Sequence, residues 1–92
     1  MSRKILLIDD EIKITAVIKS YLIKEQYDVI TANDGRSGLE KFYTEKPDIA
    51  VIDLMLPDIA GEDICAEIRK ISDIPIIMLT AKSGEESIVK GL

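Results

Sequence analysis

Four short apolar runs limit what this chain can fold into. Residues 5–8, 27–32, 49–52 and 76–79 are of strand length, and between them the apolar period becomes that of a helix. Ile5-Leu6-Leu7-Ile8 and Ile49-Ala50-Val51-Ile52 are continuously apolar, as strands covered on both faces are. The run at 27–32 is more polar and suits a sheet edge. The first helical segment begins at Ile12 and places Ile14, Val17, Ile18, Tyr21 and Leu22 on one face. Asn33-Asp34-Gly35 supplies turn and cap chemistry for a second helix to about Glu45, which Lys46-Pro47 stops. A third helix is predicted from Glu62 to Ile71, with Ile64, Cys65, Ile68 and Ile71 inward. A last one begins at Gly84-Glu85-Glu86 and runs through Ile88 and Val89. The order β-α-β-α-β-α-β-α predicts an α/β fold, a doubly wound parallel sheet with helices on both faces and right-handed crossovers.

Composition narrows the function. Ninety-two residues form one small domain, and the net charge of −5 argues against a nucleic-acid surface while fitting a cation site or a basic partner. The chain has no histidine, which removes histidine catalysis, histidine metal sites and a phosphohistidine of its own. The single cysteine, Cys65, forbids an internal disulfide and lies in a helical pattern, where packing explains it. No apolar run reaches the ~20 residues of a membrane span, and residues 1–8 are too short for a signal peptide. The expected location is cytoplasmic.

Chemistry gathers where strands end. Asp9-Asp10 follows the first run, Asp53 the third and Thr80 the fourth. Open α/β sheets put working residues outside the carboxyl ends of their strands. Taken singly, Asp53 reads as a loop-capping aspartate and Asp9-Asp10-Glu11 as acidic residues suited to a helix dipole. Together they form a crevice of carboxylates, in a loop shaped by Pro57, which fixes φ, and Gly61, which permits positive φ. Two carboxylates ~4 Å apart repel by ~1 kcal/mol in water and by ~4 kcal/mol at an effective dielectric of 20. Lys82 is the one basic residue in the adjoining segments. An all-oxygen cluster suits a hard cation, Mg²⁺ in particular. Beside such a cation a carboxylate is a competent nucleophile toward phosphorus, and Thr80 and backbone N–H groups are placed to hold a phosphoryl oxygen.

The sequence resembles the receiver domain of two-component response regulators. The resemblance rests on Ile-Leu-Leu-Ile-Asp-Asp-Glu at 5–11, Asp-Leu-Met-Leu-Pro-Asp-Ile-Ala-Gly at 53–61 and Pro-Ile-Ile-Met-Leu-Thr-Ala-Lys at 75–82. It implies a flavodoxin-like fold and Asp53 as acceptor of a phosphoryl group from a sensor histidine kinase. Mg²⁺ would be held by Asp10 directly, by Asp9 through water, by Asp53 and by the backbone carbonyl of Met55. Thr80 would be the switch hydroxyl, and the apolar Met55 side chain would influence how fast water reaches the acyl phosphate. The domain would receive phosphoryl rather than act as an enzyme on a separate substrate, without binding nucleic acid or membrane itself. The loop wording is similar to the subfamily that carries a winged-helix DNA-binding domain, hence a link to transcription regulation.

The match also departs from the family. The family continues into a fifth strand and helix, with a phosphate-pairing lysine and an aromatic switch residue, so residues 1–92 read as a receiver domain truncated at its C-terminal side. Lys82 lies on a different loop from that lysine. The expectation that follows is an open apolar edge at residues 76–80, with self-association through Ile76, Met78 and the last helix near Ile88 and Val89. The alternative is a phosphorylation-incompetent receiver-fold fragment acting only in self-association or partner binding. A flavodoxin-type flavin binder would need a Ser/Thr/Gly-rich phosphate loop where Asp9-Asp10-Glu11 stands. A haloacid-dehalogenase-type phosphatase would need Asp-x-Asp spacing, which Asp9-Asp10 lacks.

Overall fold

The computed structural model describes residues 3–79 and 89–90. The elements are β1 (Lys4–Ile8), α1 (Ile12–Lys24), β2 (Asp28–Ala32), α2 (Gly35–Glu45), β3 (Ile49–Asp53), α3 (Gly61–Arg69), β4 (Ile76–Leu79) and β5 (Val89–Lys90). They form one sheet in the order β2-β1-β3-β4-β5. The pairings β1–β2, β1–β3 and β3–β4 are parallel, and β4–β5 is antiparallel. Parallel neighbours need a crossover between them, and α1, α2 and α3 supply it. No described helix is long and apolar enough to cross a membrane.

β1 lies between β2 and β3, and Leu6, Leu7 and Ile8 have no exposed surface. Its unbroken apolar run is the sequence form of that position. The core on one face of the sheet joins Leu6, Ile8, Ala50 and Ile52 to Phe42 of α2 and to Ile64 and Ile68 of α3. β2 is at the edge, as its polarity predicts.

Three expectations are corrected. On α1 the residues turned to the sheet are Thr15, which is buried, and the half-buried Ile18 and Leu22; Val17 and Tyr21 are 70% and 64% exposed. Apolar residues occupy two adjacent stripes of this helix, and pattern alone does not say which one packs. Thr15 takes a buried place because its hydroxyl can donate to the Asp9 carbonyl, 3.5 Å away. The third helix ends at Arg69 instead of Ile71, whose side chain is 64% exposed. The Arg69 guanidinium donates to the carbonyls of Ser72 and Ile74, at 3.3 and 2.7 Å, and holds the turn that follows.

The third correction concerns the C-terminal side. Val89, expected in a helix, is instead strand together with Lys90, and the two pair with Leu79 and Met78. β4 is therefore not an open edge along its whole length, and self-association through that edge loses this part of its basis. A β-branched residue such as Val89 fits a pleated sheet at least as well as a helix. The remainder of the predicted last helix, together with Thr80 and Lys82, lies outside the described residues.

α1 closes on Gln26, whose φ of 72° is left-handed, and the Gln26 and Tyr27 N–H groups donate to the carbonyls of Ile23 and Leu22. This conformation costs a non-glycine residue roughly 1–2 kcal/mol, while glycine adds about 0.4–1 kcal/mol of unfolded-state entropy. Gln26→Gly is expected to stabilise the domain by up to about 1 kcal/mol, a rise of about 4–8 °C in melting temperature at the upper limit. An unchanged or lower melting temperature would refute this.

Candidate functional site

The carboxyl ends of β1 and β3 are adjacent because the strands pair in register, Ile8 beside Ile52. The next residue on each chain is an aspartate. Asp53 is the last residue of β3 and has no exposed surface; Asp9 is 1% exposed, and Asp10 lies out in solvent. Asp9, Asp10 and Asp53 each offer a carboxylate oxygen, and these oxygens lie within 4.8 Å of one another. Sequence spacing alone predicted this convergence. It could not predict that two of the three carboxylates would be buried.

Backbone groups orient the two buried carboxylates. Met55 N–H donates to Asp53 Oδ1 at 2.9 Å, and Glu11 N–H to Asp9 Oδ1 at 2.9 Å. Each bond reaches two residues along the chain, the Asx-turn arrangement that aspartate favours after a strand. The Asp9 backbone is anchored as well: its N–H donates to Ala32 O at 3.0 Å, and its carbonyl accepts from Asn33 Nδ2 at 3.4 Å. Leu54 N–H donates to Leu79 O at 3.1 Å, which ties the start of the β3–α3 loop to β4.

Gly61 has a different role from the one expected. It is the first residue of α3, and what it permits is close approach. A Cβ there would stand 2.6 Å from the Asp53 carbonyl oxygen and 2.8 Å from Leu54 Cα. The helix therefore begins directly behind Asp53.

Two residues had no assigned role in the sequence. Thr15 is one. The other is Asp58, whose carboxylate accepts from Gly35 N–H at 2.8 Å and Arg36 N–H at 3.0 Å, both in the first turn of α2, and from Ile59 N–H at 2.9 Å. Asp-Ile after Pro57 reads only as turn chemistry, because the partners are more than twenty residues away. The Gly35 and Arg36 N–H groups hold the Asp58 pKa below its ordinary value of 3.8. A carboxylate depressed in the folded state contributes stability that is present above the unfolded pKa and lost as pH falls through the folded one. Asp58→Asn should therefore cost stability near neutral pH, and its deficit against the parent should shrink as pH falls through and below the ordinary carboxylate value of 3.8. Chemical denaturation over that fall in pH checks it, and a deficit that stays constant would refute it.

The donor set answers which ion would fit. The carboxylate oxygens that the described residues offer suit a hard divalent cation better than zinc or copper, which favour nitrogen and sulfur. Like charges this close in a partly buried site repel, and a bound cation converts the repulsion into coordination.

Comparison with known proteins agrees with this geometry. The family model described as the response regulator receiver domain matches residues 5–92. The response regulator TrrA of Thermotoga maritima, solved in complex with Mg²⁺ and BeF, is 39% identical with a TM-score of 0.82, covering 88% of this chain and 71% of its own. The BeF3-activated N-terminal receiver domain of RstA from Klebsiella pneumoniae is 32% identical with a TM-score of 0.82, covering 89% and 70%. A signal receiver domain from Vibrio parahaemolyticus is 28% identical with a TM-score of 0.83, covering 92% and 66%. This chain thus spans about two thirds of the length of that Vibrio chain.

Proposed function

Since the chain belongs to the response regulator receiver domain family, we propose that it accepts a phosphoryl group on Asp53 from a phosphohistidine of a partner sensor kinase. One observation carries the reading. Asp53 ends β3 with its carboxylate held by Met55 N–H and with the Asp9 and Asp10 oxygens beside it. In the transfer, an Asp53 carboxylate oxygen forms a bond to phosphorus as the donor's P–N bond breaks, and the departing imidazole nitrogen keeps the electron pair and takes up a proton. Met55 N–H fixes the carboxylate's rotation, and Asp9 and Asp10 would hold a cation in the anionic pocket. Mg²⁺ bound by Asp10, by Asp9 through water, by Asp53 and by the Met55 carbonyl would neutralise charge on the transferring oxygens. Thr80 is the hydroxyl assigned to steady the phosphoryl group.

The chain is a substrate in this scheme, and its own carboxylate does the chemistry. The output is a change of partner contacts, with the kinase upstream and a transcription-regulating domain as the class of effector. A cytoplasmic location follows from that partnership. The solved relatives with BeF species and Mg²⁺ support the reading by analogy of fold and sequence. The fragment that cannot be phosphorylated is the less favoured alternative, since all three acidic residues converge.

Incubation with acetyl phosphate or a phosphoramidate plus Mg²⁺ tests the proposal. The intact mass should rise by one phosphoryl group, labile to hydroxylamine, and a chelator should prevent it. For the metal, Mg²⁺ at about one hundred times its dissociation constant should stabilise the parent by about 2.7 kcal/mol. Asp10→Ala should lose most of that gain. An equal gain in the variant would remove Asp10 from the ligand set.

A further inference from the structure

The geometry points to Asp58 as a positioning residue that holds the β3–α3 loop, and with it the Met55 backbone, against the acidic pocket by anchoring the loop to the N-terminus of α2. This inference rests on the reading of Asp53 as phosphoacceptor and of Met55 as a backbone ligand.

The first four N–H groups of a helix need partners outside it. In α2 two separate carboxylates supply them. Asp34, the residue before the helix, accepts from Ser37 N–H at 2.8 Å, and its carbonyl accepts from Gly38 N–H at 3.0 Å. Gly35 and Arg36 donate instead to the two oxygens of Asp58, in a loop more than twenty residues away. The local cap serves the helix alone. The remote one joins the helix to the loop, and an anionic group there also meets the positive end of the helix dipole.

Packing points the same way independently of the hydrogen bonds. A Cβ on Gly35 would stand 2.8 Å from Ile59 Cβ and 3.0 Å from Ile64 Cδ1, so the loop and α3 lie flat on the start of α2. The same turn reaches the opposite wall of the pocket, because Asn33 Nδ2 donates to the Asp9 carbonyl. The β2–α2 corner thus touches both chain segments that carry the carboxylates. Asp58 is the link on the Asp53 side. Its Ile59 N–H bond stiffens the loop locally, and three residues earlier Met55 N–H donates to Asp53 Oδ1.

The test compares Asp58→Ala with Asp34→Ala in the full chain. Both remove a carboxylate from the same helix N-terminus, and only the first releases the loop. Mg²⁺ alone is titrated by calorimetry, and the initial rate of labelling by acetyl phosphate is measured against Mg²⁺ concentration. Asp58→Ala is expected to raise the half-saturating Mg²⁺ about tenfold, as loss of an outer partner of a metal ligand does, while the rate at saturating Mg²⁺ stays within about twofold. Asp34→Ala should lower the melting temperature while leaving both quantities within about twofold of the parent. Asp58→Asn keeps one acceptor oxygen, should fold if the alanine variant does not, and should fall between parent and Asp58→Ala. Equal shifts in the Asp34 and Asp58 variants, or none in either Asp58 variant, overturn the proposal. A parent that binds Mg²⁺ but takes up no phosphoryl overturns the phosphoacceptor reading alone, because the titration still ranks the variants.

Discussion

Asp53→Asn is expected to abolish phosphoryl uptake and, in the same molecule, to make the metal-free domain more stable. Asparagine matches aspartate in shape and keeps the Oδ1 that accepts from Met55 N–H. It lacks the anionic oxygen that the proposed transfer needs as its nucleophile, so no mass increase should appear with any small donor. It also removes one of three carboxylates whose oxygens lie within 4.8 Å. One such pair repels by about 1 kcal/mol in water and about 4 kcal/mol at an effective dielectric of 20. A gain of about 1–3 kcal/mol in chelator-containing buffer follows, or at least about 4–8 °C in melting temperature. Added Mg²⁺ should stabilise the parent more than the variant and narrow the gap. Intact mass and paired melts with chelator or Mg²⁺ measure both halves. A variant less stable than the parent in chelator would mean that the carboxylates are not in conflict.

Gly61→Ala is expected to be the more damaging change to the fold. The added methyl would meet the Asp53 carbonyl oxygen at 2.6 Å and Leu54 Cα at 2.8 Å, both backbone atoms that no rotamer can move. Overpacking of this kind costs about 1–3 kcal/mol, against at most about 1 kcal/mol gained in helix propensity. A net loss of about 2 kcal/mol is a large part of a small domain's stability. The displaced backbone is that of Asp53 itself, so labelling should slow as well. Gly38→Ala is the comparison: the three atoms nearest its Cβ are side-chain atoms of Ile8, the closest at 2.5 Å, and a side chain, even a buried one, can yield further than backbone. Equilibrium denaturation of the two variants should rank Gly61→Ala as clearly worse. Equal costs would show that α3 can move away from Asp53 freely.

The alternation of elements was legible because each strand run is short, apolar and punctuated by a polar end or a proline. The acidic convergence was legible too, since the first and third strands can be neighbours in a doubly wound sheet and their ends then meet at one crevice. What the residues could not display was any relation set by tertiary contact. On α1, Val17 and Tyr21 looked like core but are exposed, and the buried place goes to Thr15, to which the apolar pattern gave no role and which meets the Asp9 carbonyl. Gly61 looked like a turn residue, and only the backbone atoms behind it explain why a side chain is excluded. The Asp58 anchor spans two elements and leaves no local pattern. Val89 could satisfy a helix or a strand, and its pairing with Leu79 decided between them.

The position of β1 has a consequence for how the molecule is made. Ile5 pairs with Val29 on one side and with Ile49 on the other, so the strand translated first needs partners from two later stretches of chain. Until β3 has left the ribosome, one side of a strand apolar from Ile5 to Ile8 has no backbone partner, and the core that Ile52, Ile64 and Ile68 complete cannot close. Contacts this distant in sequence must offset loop-closure entropy before they stabilise anything, which makes folding slow and late. A nascent chain stalled before Ile49 would therefore present Ile5 to Ile8 to chaperones, or to the same strand of a neighbouring chain. In the finished domain the same burial should make these the last amides to exchange with solvent, opening only when the whole sheet does.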